Sequence, residues 1–274
     1  MNWIKLFVAS VAVIFFLTCA DCSAEQPKAQ EYRKILSSEN FYVEYDDKNL
    51  KRIIAQDNGR RMVRTNLGGS YRAIVSILNP IGNLFANMNE KYPEFMFAGG
   101  KFYKFIEQDM AVIATEDQLD NENLNPNEGW ATIYQSLSLP NELAVFNWND
   151  RFHKVPPALT EPIFLESVKK NINGKDFDCD RYQSNIMNAA GGETATIIFE
   201  LCYSNGELII AQSSLLSNDK EYEINRLIVK RILPSVPSGD FKLSGKEKIH
   251  SAGIGDMNDL LENLPFIGRL LEIK

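Results

Sequence analysis

Hydrophobic and polar positions alternate with period two from residue 40 onward. In Asn40 to Tyr45, Phe41, Val43 and Tyr45 fall on one face and Tyr42 and Glu44 on the other, the pattern of a strand. Leu50 to Gln56 forms a second run and Arg61 to Asn66 a third. Asp57-Asn58-Gly59 joins the last two, with Asn and Gly supplying the positive φ of a tight hairpin. Residues 40–66 therefore predict a three-stranded meander.

The period then changes. Tyr71, Ile74, Val75, Leu78, Ile81, Leu84, Phe85 and Met88 fall near helical spacing, interrupted at Asn79-Pro80 and Gly82, which predicts a kinked or split helix. Glu94 to Ala98 returns to strand, Gly99-Gly100 turns, and Lys101 to Thr115 supplies one or two strands. At 125–137 the helix signals agree. Asn125 can cap, Pro126 suits the first turn, and Glu128 lies three residues after the cap. Trp130, Ile133, Tyr134 and Leu137 follow at i, i+3, i+4 and i+7, and Pro140 ends the run. This apolar stripe needs a cover. It is either ordinary core packing against a sheet or part of a helix that lids a cavity. Before the meander, Ala29 to Leu36 has weak helical character.

The second half is strand after strand. Ile163 to Ile172, Asp176 to Ser184, Thr194 to Tyr203, Leu208 to Ser217 and Tyr222 to Leu233 are separated by Asn173-Gly174, a loop at 188–193, Asn205-Gly206 and Asn218-Asp219-Lys220. Pro234, Pro237 and Gly239 end this regularity. An irregular tail follows from about residue 234, with a short helix predicted at 256–264 capped by Asp256. The sum is a mainly β fold with inserted helices (α+β). Nine to eleven strands joined by short hairpins predict a strongly curved antiparallel half-barrel, its concave side covered by the helices. No linker or repeat divides residues 25–274, so one domain is expected.

Residues 1–24 change the picture of where this fold works. Lys5 precedes the apolar run Leu6 to Leu17, and Cys22-Ser23-Ala24 places small residues at the −3 and −1 positions of a cleavage site, the plan of a secretory signal peptide. The run is short for a membrane span, which takes about 20 apolar residues. The expected product is exported and periplasmic. Lipid anchoring through Cys19 or Cys22 is the alternative, although the residues before each fit a lipidation site poorly. Cleavage removes Lys5 and Asp21, so the net charge stays at −7. An acidic chain without a polybasic stretch suits neither nucleic acid nor an anionic lipid surface. Hydrophobic residues make up 45% of the chain, enough for a sizeable core.

Cys179 and Cys202 are the cysteines left after cleavage. In an oxidising compartment, and on consecutive predicted strands, they are expected to form a disulfide; two buried thiols are the other reading. Candidate chemistry is otherwise sparse. His153 and His250 stand apart, expected on loops or at the surface. There is no H-E-x-x-H, G-x-S-x-G or phosphate loop. Asp176, Asp178 and Asp180 imitate the opening of a calcium loop, but Arg181 and Met187 stand where a glycine and a bidentate Glu are needed. Their shared strand face predicts a solvated surface. No cofactor, no metal and no enzymatic activity are expected.

The signal segment, the opening F-Y-V-E-Y strand, the D-N-G-R-R hairpin, the mid-chain helices and the closing meander together resemble the LolA-like periplasmic lipoprotein carriers. The stretch from Gly174 to Leu208 (GKDFDCDRY … FELCYSNGEL) is similar to their late hairpins. The resemblance covers the layout of residues 35–245. It implies a half-open sheet whose concave side is an apolar cavity for acyl chains, closed by a helical lid. Trp130, Ile133, Tyr134 and Leu137 would then be lid residues, and Phe41, Val43 and Tyr45 wall residues. It also implies a monomer whose partners are lipid or lipoprotein acyl chains, with membrane-bound donor and acceptor proteins. A non-catalytic structural or interaction module of the cell envelope is the alternative.

Overall fold

The computed structural model describes residues 24–48, 50–67, 93–106, 109–116, 134, 136–153, 159–187, 193–241 and 249–251. It opens with α1 (Pro27–Leu36), whose proline occupies the first turn, where no intrahelical N–H is needed. Ala29, Tyr32, Ile35 and Leu36 form its buried stripe.

The strands β1 (Phe41–Asp47), β2 (Leu50–Asp57) and β3 (Arg60–Leu67) are the anticipated meander. They are followed by β4 (Phe95–Ala98), β5 (Lys101–Ile106) and β6 (Asp109–Thr115). A four-residue helix, α2 (Asn141–Ala144), starts directly after Pro140. Then come β7 (Ile163–Ile172), β8 (Lys175–Met187), β9 (Glu193–Ser204), β10 (Glu207–Ser217) and β11 (Lys220–Leu233). A short β12 (Ile249–Ser251) lies in the tail.

Among the described residues, all strands belong to one 12-stranded sheet, in the order β12-β6-β5-β4-β3-β2-β1-β11-β10-β9-β8-β7. Every pairing is antiparallel except that of β12 with β6. The sheet is open, ending at β7 and β12. The fold is thus mostly β and antiparallel, as expected, with β12 as the unforeseen strand. Three residues are too few to show a period. The hairpin turns at Asn58-Gly59, Asn173-Gly174 and Asn205-Gly206 place both residues at positive φ, the geometry that matches strand twist.

Both faces of the central strands are buried. Phe41, Val43, Tyr45, Ile54 and Val63 join the main core cluster, together with α1, Tyr134, Leu137 and residues 139–152. On the opposite face Tyr42, Ile53, Ala55 and Met62 form a second cluster, against which Val236 and Phe241 of the tail pack. This is why Tyr42, a polar-face residue by alternation, is 0% exposed; Glu44 on the same face is 5% exposed, held between Lys51 and Arg231. The predicted helix at 71–92, most of the one at 125–137 and the one at 256–264 lie outside the described residues.

Candidate functional site on the apolar face

The main cluster is built by strand alternation. Each strand from β1 to β5 and from β8 to β11 sends hydrophobic side chains to one side, and that surface runs from Phe102 on β5 to Tyr182 on β8. The expected wall residues Phe41, Val43 and Tyr45 are on it, each fully buried. Two of the expected lid residues, Tyr134 and Leu137, are buried against it as well. Trp130 and Ile133 lie outside the described residues. Tyr134 packs edge-on to Phe102 at 5.3 Å, and Phe152 reaches Phe97 at 5.3 Å, distances at which aromatic pairs attract.

One cation is embedded in this cluster. Arg61, the second residue of β3, lies on the apolar side and is 1% exposed. Its Nη2 donates to Asp150 Oδ1 at 2.7 Å, its Nε to Gln56 Oε1 at 3.0 Å and its Nη1 to the Leu137 carbonyl at 3.4 Å. The guanidinium lies 4.7 Å from the ring centres of both Phe41 and Phe152. Burial pulls its pKa down, and the Asp150 charge opposes this. One side chain thus ties β2, β3 and residues 137–152 together. Arg61 to Asn66 is legible in sequence as a strand without an assignment of its faces, and nothing near Arg61 in sequence signals its partner, 89 residues away.

A second buried polar contact docks α2. Glu142 Oε1 accepts from Ser213 Oγ of β10 at 2.6 Å. Burial pushes the Glu142 carboxyl up from its ordinary value, with Ser213 opposing. A raised carboxyl contributes fully below its unfolded pKa and loses that contribution as pH rises through the folded value. Glu142→Gln is therefore expected to be at least as stable as the wild type near pH 7. That advantage is expected to vanish near pH 4. Urea unfolding of both proteins at the two pH values measures it, and a variant weaker at pH 7 would contradict it.

His153, expected on a loop or at the surface, lies outside helix and strand but is only 9% exposed. Its ring lies 4.5 Å from Trp148, and burial lowers its pKa. The side chain of His250 lies outside the described residues. The hydroxyls of Tyr45 and Tyr203 have no hydrogen-bond partner among the described residues; burial pushes Tyr45 up to about 12.

Asp176 and Asp178 are exposed, as expected, and border a surface recess of about 480 Å³ with Lys169, Lys170, Asn171 and Phe177. Asp180 is not solvated. It is 0% exposed, covered by residues 24–26, which sequence spacing could not show. The disulfide Cys179–Cys202 is present, joining directly opposed residues of β8 and β9 on the other face, beside Phe177 and Ile210. Among the described residues, Cys179, Glu200 and Cys202 converge as a metal site would, but the bridge takes both thiolates.

The apolar face has two unlike ends. At one, Tyr32 of α1 donates to Glu207 beside the β9–β10 turn at 2.7 Å. At the other, β7 and β11 begin and β8 and β10 end. Toward that end lie the exposed large hydrophobics among the described residues, at 44–69% exposure: Ile163 and Leu165 on β7, and Tyr222 and Ile224 on β11. Ile163 pairs with Gln183, on the face away from Tyr182, whereas Tyr222 pairs with Leu215. Leu215 and Ile186 are half-buried and pack against the main cluster, so on β11 the core surface runs out to an exposed side chain at Tyr222.

No helix among the described residues is long and apolar enough to cross a membrane. No protein-family model matches the chain, and no curated protein matches it. Among solved structures, the Mycobacterium tuberculosis lipoprotein LppX is matched over 77% of this chain and 98% of its own, with 8% identity and a TM-score of 0.32. At that level the similarity carries no argument about fold or function.

Proposed function

We propose that this protein is a non-catalytic, extracytoplasmic carrier or binding protein for a hydrophobic ligand such as an acyl chain, acting as a single domain. The observation that carries this reading is that the apolar face of an open sheet runs out through half-buried Leu215 to its exposed partner Tyr222, with Ile224 also exposed on β11. Apolar surface left open at the end of a core face is suited to binding something hydrophobic. Burying apolar area at about 25 cal/mol per Å² is sufficient to hold a lipid chain. The signal-like segment and the disulfide support an oxidising compartment. Trp130, Ile133, Tyr134 and Leu137 form the lid in this proposal, and Phe41, Val43 and Tyr45 the wall.

The test is titration of the delipidated mature chain with a fluorescent fatty-acyl probe. Saturable uptake is expected, weakened about tenfold by Tyr222→Asp with Ile224→Asp, since each exposed apolar side chain contributes about 1 kcal/mol or more on burial. Both positions are more than half exposed, so folding tolerates the change. A wild type that takes up no probe would sink the reading.

One observation favours the alternative, a cell-envelope interaction module. β7 is an edge strand carrying Ile163 and Leu165, and such edges accept a partner strand. Absence of probe uptake together with capture of a partner abolished by Leu165→Lys would support it.

A further inference from the structure

Among the described residues, Asp180 is a carboxylate in an unusual setting. It is fully buried, and among the described residues no Lys or Arg lies in ion-pair contact with it. Its oxygens meet the backbone N–H of Gln26 at 2.8 Å and the hydroxyl of Ser167 at 2.5 Å. The surroundings leave it short of positive charge. Glu25 of the lead-in takes the nearby Arg33 of α1 as its own ion-pair partner, and also accepts from Tyr182 on β8. Tyr203 on β9 and Tyr32 on α1, the latter bonded to Glu207, lie at the same corner. Burial pushes the Asp180 carboxyl up, with Glu25 adding to the effect; whenever Asp180 is ionised, two carboxylates face one guanidinium and the cluster carries one negative charge too many.

The hydrogen bonding is also mismatched. Ser167 Oγ lies 2.9 Å from the Ala24 carbonyl oxygen as well as against Asp180. A hydroxyl has one proton to donate. It cannot serve both a carbonyl and an ionised carboxylate, so one acceptor goes without.

Both faults have one remedy. The carbonyl that competes for Ser167 belongs to Ala24, the last residue before the cleavage site read in the sequence, and the next nitrogen along the chain is that of Glu25. We propose that the α-amino group of Glu25, freed when the Ala24–Glu25 peptide bond is hydrolysed, is the counter-ion of Asp180. Hydrolysis adds one water: the Ala24 carbonyl leaves as a carboxylate with residues 1–24, and the nitrogen becomes an ammonium. An acceptor beside Ser167 is replaced by a donor. The ammonium donates to Ser167 and Asp180, Ser167 donates its proton to Asp180, and the excess negative charge is cancelled. Maturation thereby completes a buried ion pair that pins the start of α1 to β7 and β8. The inference rests on the export half of the proposed function and is independent of the ligand.

The experiment begins with the full chain expressed with its own residues 1–24 and exported. Its intact mass should correspond to a chain beginning at Glu25. A mass showing any other terminus, or a lipidated cysteine, overturns the inference. The mature chain is then compared with the same chain acetylated at its α-amino group, in the wild type and in Asp180→Asn. Acetylation is expected to lower Tm by about 5 °C in the wild type, and by no more than about 1 °C in Asp180→Asn. If Asp180→Asn does not fold, NMR titration of the wild-type amine decides. Its pKa should lie well above the ordinary value of about 8. The stabilisation is then complete below about pH 8 and is lost as pH rises through the folded value. Equal Tm with and without acetylation, or an amine titrating at its ordinary value, overturns the pairing while leaving export intact.

Discussion

Arg61→Ala is expected to destabilise the mature protein by about 3–5 kcal/mol, because it leaves Asp150 as an unpaired charge in an apolar interior. Both side chains of the pair are at most 5% exposed, so water cannot take over the lost contact. The arginine also carries two ring contacts, to Phe41 and Phe152, and desolvated contacts of this kind add up to about 2 kcal/mol each. Asp150→Ala is expected to cost about the same, for the mirror-image reason. The double variant Arg61→Met with Asp150→Leu removes both charges and keeps most of the volume. It is expected to recover to within about 1–2 kcal/mol of the wild type. Urea unfolding followed by tryptophan fluorescence measures all three. Single variants that each lose less than about 1 kcal/mol would show that the pair is solvated and that residues 137–152 do not depend on it.

The second large effect is that of the disulfide. Cys179 and Cys202 are separated by 23 positions, and closing a loop of that size stabilises by about 3 kcal/mol through the unfolded chain. Cys179→Ala with Cys202→Ala is expected to lose that amount. Its midpoint in urea should fall, with a slope change that reflects a less compact denatured state. The cysteines face away from the main cluster, beside Phe177 and Ile210, so uptake of an acyl probe should survive wherever the protein remains folded. Oxidised and reduced proteins that unfold at the same denaturant concentration would contradict this account.

The strands were legible because alternation and turn chemistry are local. Phe41, Val43 and Tyr45 declare a face by spacing alone, and Asn58-Gly59 declares a hairpin because few other residues accept its φ values. The same locality made Cys179 and Cys202 readable as a pair, since consecutive antiparallel strands oppose residues equidistant from their turn. Tyr134 and Leu137 were legible as residues needing cover, and both are buried. The buried Asp180 was not legible, because alternation gives it the same face as the exposed Asp178 and only the crossing of residues 24–26 separates their fates. His153 was legible as a loop residue, but its burial was not, because nothing near it in sequence indicates what its loop packs against.

What the sequence alone determined is therefore the set of elements that repeat within a few residues: period-two strands, Asn-Gly turns, weak helical character before the first strand and the antiparallel meander they compose. The tertiary structure decided what lies against what. It paired Arg61 with Asp150 across 89 residues, set Ser213 against Glu142, brought the lead-in onto Asp180, and collected Ile163, Leu165, Tyr222 and Ile224 at one end of the sheet. The physical reason is range. Backbone preference and side-chain alternation act through neighbours, whereas the cost of burying a charge depends on whichever distant group arrives to meet it.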